Sequence, residues 1–384
     1  MTYYQRALEP TFLSALEMFP VVAVTGPRQS GKSTIIAHLL ANQYEVVRLD
    51  QPDIRSRFYH DPVAFMARYA DRVVFDEAQL VPELFEYIKL AVDQDRQRYG
   101  KLVVSGSHRF NLLKNISESL AGRVVNLCLL PLEYAELPET ERGSAVWQGS
   151  YPELVLQNYR NRGLWYGAYL ETYLEKDIRT LHNIGDLRDF QRLIHLLAAS
   201  VSQQLNLSVL ARALGVAVST VSRWVSVLEA SYILFLVPPY FNNYGKRLVK
   251  APKIYFYDTG LVSYLVGIES YEHYTHGPMS GALFENYVMS EIVKRERHQQ
   301  SNAEVYYYRT HGGEEIDIII DRKQFRELIE VKHNATFHPR MLRHVESYLE
   351  ENDQGFLVYC GKSDAYKPNI DVLNIHDFLL KPRS

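Results

Sequence analysis

The stretch GPRQSGKST at residues 26–34 decides the reading of the first third of the chain. Five apolar or β-branched residues, VVAVT at 21–25, precede it, and an apolar helical run at 35–40 follows it. The loop therefore joins a strand to a helix, the context in which G-x-x-x-x-G-K-[ST] carries a mechanism. Gly26, Gly31, Lys32 and Ser33 meet that pattern, and Pro27, Arg28, Gln29, Ser30 and Thr34 complete the loop. Glycines let the main chain wrap closely, so its N–H groups point at a phosphate. The helix that follows presents unpaired N–H groups and its positive end to the same anion. Lys32 is expected to neutralise the β- and γ-phosphates, and Ser33 to ligate Mg²⁺ through its hydroxyl.

Working outward, RVVFDE at 72–77 is a second apolar strand ending in two carboxylates. Asp76 is the expected Mg²⁺ partner and Glu77 the expected base that orients an attacking water. If the pleat continued, Glu77 would point away from Asp76. A third strand, 101–105, ends in Ser105-Gly-Ser107. In a sheet of this kind Ser105 or Ser107 is placed to touch the γ-phosphate or the water.

Taken in order, GPRQSGKST, VVFDEAQ, VVSGS and SLAGRVVNLCLLPLEYAE resemble the bacterial and archaeal AAA-type ATPases that carry a C-terminal domain of unknown function. GSYPE, YDTGL and GALFEN extend the resemblance over nearly the whole chain. It implies an ATP- and Mg²⁺-dependent P-loop ATPase core, a parallel sheet with helices on both faces, over residues 1–137, and a helical lid over 138–185. It also marks Arg123 as the arginine that approaches a γ-phosphate, within the chain or from a neighbouring subunit of a homo-oligomer.

Residues 186–260 read as helix, helix, a Gly215 turn, helix and hairpin, the order of a winged helix. Residues 186–258 carry eight basic residues (Arg188, Arg192, Arg212, Arg223, Lys246, Arg247, Lys250 and Lys253) against four acidic ones, while the whole chain of 384 residues is at −3. That local excess is what contact with a nucleic-acid backbone, DNA in the first place, requires. Ser219, Thr220 and Arg223 are expected on the exposed face of the second helix of the pair.

In residues 261–384 an apolar helix carries Glu285, a β-branched strand embeds Asp317, and the next strand contains Glu330-x-Lys332. Asp317 and Glu330 on adjacent strands can share Mg²⁺, with Glu285 as a further ligand. Lys332 lies two residues from Glu330, on the same strand face, where it can stabilise charge on a phosphate. Order and spacing resemble the PD-(D/E)XK nucleases, which implies a restriction-endonuclease-like α/β domain, although His333 stands where many such nucleases have Gln or Ser.

The expected molecule is an α/β ATPase that processes DNA with a nuclease-like domain. The alternative is a nucleotide-controlled DNA- or protein-binding switch whose nuclease-like domain is inactive. Two distant cysteines fit a reducing cytoplasm, the first ten residues show no signal-peptide pattern, and no apolar run is long enough to span a membrane.

Overall fold

The computed structural model describes residues 3–106, 119–173, 187–240, 251–310 and 312–381. The chain divides into two compact units, the first built from Met1–Leu132 with the short segments Ala230–Tyr232 and Arg297–Gln300. The remainder, Glu133–Glu229, Ile233–Glu296 and Ser301–Ser384, forms the second.

In the first unit five strands, β1 (Val21–Thr25), β2 (Glu45–Arg48), β3 (Val73–Asp76), β4 (Leu102–Ser105) and β5 (Val124–Cys128), form a parallel sheet in the order β2-β3-β4-β1-β5. The strands are near-continuous runs of valine and other apolar residues because both faces are covered. Alternate side chains go to opposite faces. Val22, Val24, Val74, Val103 and Leu127 pack against Leu8, Phe12 and Ala15 of helix α1 (Glu9–Met18) and Ile35, Ile36 and Leu40 of α2 (Lys32–Leu40). Val21, Ala23, Val73, Phe75, Leu102 and Val104 pack against α3 (Pro52–His60), α4 (Pro62–Arg68) and α5 (Leu84–Gln94), with Phe58, Phe65, Phe85 and Ile88 as the bulk of that layer.

β4 lies between β1 and β3, so the loop after β1 and the acidic end of β3 flank the end of β4. This places Ser105 at the centre of the sheet's carboxyl edge. Ser107 lies outside the described residues.

In the second unit α6 (Ala145–Gln148), α7 (Pro152–Leu156) and α8 (Arg162–Tyr173) lead to a bundle of α9 (Leu187–Ala199), α10 (Leu207–Leu214) and α11 (Val218–Ala230). Asn206 caps α10 through its side chain, and Gly215 ends it in the left-handed region. α10 and α11 turn through 108°. The hairpin β6 (Leu234–Val237) and β7 (Lys253–Phe256) follows, antiparallel. Residues 202–205 bond along β7, Ile254 N donating to Gln203 O at 3.0 Å and Leu205 N to Pro252 O at 2.8 Å. This third strand-like segment has no signature in the sequence, where SQQL reads as polar loop.

The two short motifs GSYPE and YDTGL meet in space. Asp258 accepts hydrogen bonds from Ser150 N at 2.7 Å, Tyr166 OH at 2.6 Å and Leu261 N at 2.9 Å, the last capping α12 (Thr259–Leu265). A Cβ on Gly260 would sit 2.2 Å from the Tyr166 hydroxyl, which explains the glycine of YDTGL. These motifs build the core of the unit.

The C-terminal part is a six-stranded mixed sheet of β8 (Glu304–Arg309), β9 (Glu315–Asp321), β10 (Arg326–Lys332), β11 (Gln354–Tyr359), β12 (Asp364–Lys367) and β13 (Ile370–Asn374), in the order β12-β13-β11-β10-β9-β8. β8-β9-β10 is an antiparallel meander, and β11 and β13 continue parallel to β10. The long helix α13 (Ser280–His298) precedes the meander. Sequence reading finds β8 to β11 and misses β12 and β13, whose polar residues face water. The second unit takes in both the helices and hairpin of the 186–260 region, apart from Ala230–Tyr232, and the C-terminal sheet. Tyr240 N, just beyond β6, donates to Tyr307 O on β8 at 2.6 Å.

Among the described residues no single helix is long and apolar enough to cross a membrane.

Gly26 sits at φ +146°, and a Cβ there would lie 2.0 Å from the Leu129 carbonyl oxygen. Gly26→Ala is expected to destabilise the first unit by about 2 kcal/mol or more, read as a lowered thermal midpoint. An unchanged midpoint would contradict the loop conformation.

Candidate functional site

The loop after β1 is held open by its own backbone. Gln29 at φ 60° and Gly31 at φ 96° both adopt left-handed geometry, and a non-glycine residue in that region stores strain. Gly31 then starts α2, whose first turn carries Lys32, Ser33 and Thr34. Ser33 and Thr34 are exposed, while Ser30 and Lys32 are buried.

The Lys32 ammonium donates to the main-chain carbonyls of Gly26 at 3.1 Å and Pro27 at 2.8 Å. Burial lowers its pKa to about 8, while Glu77 and Asp76 pull in the opposite direction. The carbonyls are neutral partners, so the ammonium is poised for a stronger anion.

Asp76, at the tip of β3, gathers the rest. Its Oδ2 accepts from Ser33 Oγ at 3.3 Å, and its Oδ1 accepts from Ser105 Oγ and from Glu77 N at 3.2 Å. The strand pleat does not continue past Asp76. Glu77 turns into the left-handed region at φ 57°, and its carboxylate accepts from Gln79 Nε2. Both carboxylates consequently act on Lys32, where a continued pleat would have sent Glu77 to the far face. Ser105 is placed on the site, and Ser107 lies outside the described residues.

Arg6 was missed by sequence reading. It is 4% exposed and donates to Ser30 O at 2.8 Å and Leu130 O at 2.7 Å, clamping the loop to the segment after β5. A lone arginine upstream of the first helix gives no motif to find it by.

Arg123 is not brought to this site in its own chain. It precedes β5, at the amino edge of the sheet, with its carbonyl accepting from Val21 N, whereas the loop leaves the carboxyl edge beside Cys128. Its guanidinium makes a two-point pair with Asp93, Nε to Oδ1 at 2.7 Å and NH2 to Oδ2 at 2.9 Å. The parallel register of β1 and β5 separates it from the loop by the length of the strand.

Could the group implied by this donor set be held? An orphaned polar atom lies in the loop: the Ser30 hydroxyl is buried without a hydrogen-bond partner. A left-handed glycine loop, an ammonium on neutral carbonyls, an exposed serine at a helix start and a carboxylate within its reach fit a Mg²⁺–triphosphate.

A second cluster forms in the C-terminal sheet. Asp317 on β9 and Glu330 on β10 are each 7% exposed. Lys332 lies 2.5 Å from Glu330 Oε1 and 3.4 Å from Asp317 Oδ2, and Val331 N donates to Asp317 Oδ2 at 2.9 Å. Glu285 from α13 accepts at Oε1 from Tyr255 OH at 2.6 Å and Lys253 Nζ at 3.0 Å. Asp317, Glu330 and Lys332 thus stand in direct contact, while Glu285 is held by Lys253 and Tyr255.

Burial raises the Glu330 and Glu285 carboxyls well above the usual carboxylate range, and Asp317 adds repulsion. Burial works against the charged form of Lys332, but Asp317 and Glu330 outweigh it and hold the ammonium above its ordinary pKa. Glu330 Oε2 is buried without a hydrogen-bond partner. A buried acidic oxygen left unsatisfied beside a second carboxylate fits a divalent cation. His333 lies against Tyr274 and Phe284, ring centroids 5.1 and 5.3 Å away, and burial lowers its pKa. It packs against apolar rings instead of offering the polar group found there in many nucleases.

In the third region Ser219 and Arg223 are exposed and Thr220 is half-buried, as expected for an outward face of α11; Arg188, Arg192 and Arg212 are exposed too. Lys246, Arg247 and Lys250 lie outside the described residues. Lys253, counted with the basic excess, is 3% exposed inside the carboxylate cluster and offers nothing to a surface ligand.

Residues 18–138 match the family model of an AAA domain. Residues 142–272 and 280–378 match two domains of unknown function, DUF8612 and DUF4143. The uncharacterized protein Rv2008c of Mycobacterium tuberculosis and Mb2031c of Mycobacterium bovis are each 28% identical over 336 residues, 87% of this chain and 75% of theirs. Among solved structures, the Walker-type ATPase PabY2304 of Pyrococcus abyssi aligns with a TM-score of 0.47 at 14% identity, over 68% of this chain and 96% of that one. The RuvB Holliday junction branch migration motor of Thermotoga maritima aligns with a TM-score of 0.30 at 16% identity, over 59% and 88%. The AAA-domain match, with the loop and strand-tip geometry, supports an ATPase of the AAA type.

The lowered Lys32 pKa has a checkable sign. The folded value, about 8, lies below the ordinary 10.5, so the buried charge costs stability at neutral pH and that cost fades as pH rises through that window. A bound polyphosphate restores the charge. ATP binding at about pH 8.5 is therefore expected to take up protons through Lys32, and fewer at about pH 6.5. Calorimetry in buffers of different ionisation enthalpy reads this directly; equal heats across buffers at the higher pH would contradict it.

Proposed function

We propose that this AAA-type ATPase processes nucleic acid, DNA in the first place, and that its C-terminal domain cleaves the phosphodiester backbone with a divalent cation. The observation that carries the reading is the pairing, in one chain, of two assembled sites: Lys32, Ser33, Asp76 and Glu77 around the loop, and Asp317, Glu330 and Lys332 on the second sheet.

At the first site Lys32 exchanges its carbonyl partners for phosphate oxygens. Ser33 and Asp76 would hold Mg²⁺, and Glu77, oriented by Gln79, would position the water for attack on the γ-phosphate. Ser105 fixes the Asp76 carboxylate from the neighbouring strand. Arg123 would serve as an arginine finger only across a subunit boundary, and only after leaving Asp93.

At the second site Asp317 and Glu330 would hold Mg²⁺, which when bound lowers the pKa of a water and polarises a phosphodiester. Lys332 stays charged between the two carboxylates and faces the developing negative charge on phosphate. The exposed Ser219, Arg212 and Arg223 on α10 and α11 supply the backbone contact, with attraction that weakens as salt rises. The protein acts in the cytoplasm, where Cys128 and Cys360, which form no disulfide, remain thiols.

Lys332→Ala is expected to lower Mg²⁺-dependent cleavage of labelled DNA by about 10² or more while ATP turnover changes less than about twofold. Wild-type protein that cleaves no single-stranded, duplex or branched DNA or RNA would sink the nuclease reading and leave the ATPase reading intact.

A further inference from the structure

Lys253 stands outside every role assigned so far. It begins β7, the second strand of the hairpin, yet its side chain enters the carboxylate cluster of the C-terminal sheet. It lies 3.0 Å from Glu285 Oε1 and 2.5 Å from Glu315 Oε1, and its ammonium sits 5.4 Å from the centre of the Tyr307 ring. A charge this buried is costly without close anionic partners, and Lys253 has two. Tyr255, two residues along the same strand face, donates to the same Glu285 oxygen at 2.6 Å. One strand therefore fixes Glu285 twice.

Charge decides what else the cluster can take. Its carboxylates are Glu285, Glu315, Asp317 and Glu330; its cations are Lys253, Lys332 and, on the exposed rim 3.5 Å from Glu315, Arg309. Four negative charges face three positive ones. One divalent cation moves the balance to a single positive charge. A second would leave three uncompensated positive charges in a buried site, which low-dielectric surroundings oppose strongly. The buried oxygen without a partner belongs to Glu330, whose other oxygen shares Lys332 with Asp317, whereas the Glu285 oxygen is already occupied by Lys253 and Tyr255.

We propose that Lys253 is a built-in cation standing in for a second metal ion, so that this site takes one divalent cation on Asp317 and Glu330, and Glu285 anchors the lysine instead of ligating metal. The inference rests on the metal-centre reading above and deepens it: a strand of the helical segment supplies a fixed positive charge to the site on the sheet, and Lys253 is a positioning residue there.

The test counts Mn²⁺ bound by the full-length chain without nucleotide, by electron paramagnetic resonance and calorimetry. Only ions lost in Asp317→Asn are counted. Wild type is expected to bind one such ion. Glu285→Gln, which keeps hydrogen bonds to Lys253 and Tyr255, is expected to bind one as well, with Kd within about threefold, whereas Glu330→Gln weakens binding at least about tenfold. Lys253→Met is expected to gain a second ion or to tighten the first about tenfold, and Lys253→Arg to behave as wild type. Should Lys253→Met fail to fold, Glu285→Gln decides. Two ions in wild type, a tenfold loss in Glu285→Gln, or a folded Lys253→Met identical to wild type would overturn the assignment of Lys253. No Asp317-dependent ion in any of these chains would overturn the metal-centre reading itself, and this inference with it.

Discussion

A buried ammonium bonded to neutral carbonyls is the constraint on which the nucleotide site depends. Lys32 gives up most of its hydration to sit inside the loop, and Gly26 O and Pro27 O replace water without cancelling its charge. The rest of the unit is arranged around that deficit. The parallel sheet sets the tip of β3 beside the loop, so Asp76 and Glu77 act on the lysine from one side. Arg6 fixes the loop backbone from the other, through Ser30 and Leu130. Gly26 has no room for a side chain against Leu129. A polyphosphate completes the balance, which is why the fold and the site cannot be separated.

The C-terminal cluster solves the opposite problem. There the excess is negative, and carboxylates on α13, β9 and β10 are forced together by an antiparallel meander with an apolar core. Lys332 and Lys253 reduce the repulsion from two directions, one from within the sheet and one from the hairpin. Glu330 keeps one buried oxygen unsatisfied. An unpaired buried acid is costly, and proteins keep such groups where a ligand or a reaction uses them.

How much of this was legible in the sequence follows from the physics of each signal. The loop, both Walker-type strands and the D…E-x-K strands are readable because each couples a short continuous apolar, β-branched run to polar residues at fixed positions. The position of Ser105 followed from strand order, which no local pattern carries: β4 enters the sheet between β1 and β3. Glu77 defied the pleat because a left-handed residue breaks it, and nothing in FDEAQ announces that turn. Arg123 fits by motif, and only the strand register shows that it lies at the opposite end of the sheet from the loop of its own chain. Lys253 misled the charge count, since composition cannot distinguish a surface lysine from one pulled into a carboxylate cluster by tertiary contact. GSYPE and YDTGL read as family marks and turned out to be packing, with Asp258 and Gly260 closing on Tyr166.

On nucleotide binding the loop lysine is expected to exchange its carbonyl partners for phosphate. The most direct measurement is ATP affinity in the presence of Mg²⁺ near neutral pH, compared between the wild-type chain and Lys32→Ala. Wild type should bind, and the variant should lose at least about tenfold in affinity and essentially all turnover. Equal affinity in the two proteins, or a wild-type chain that takes up no ATP, would contradict the account.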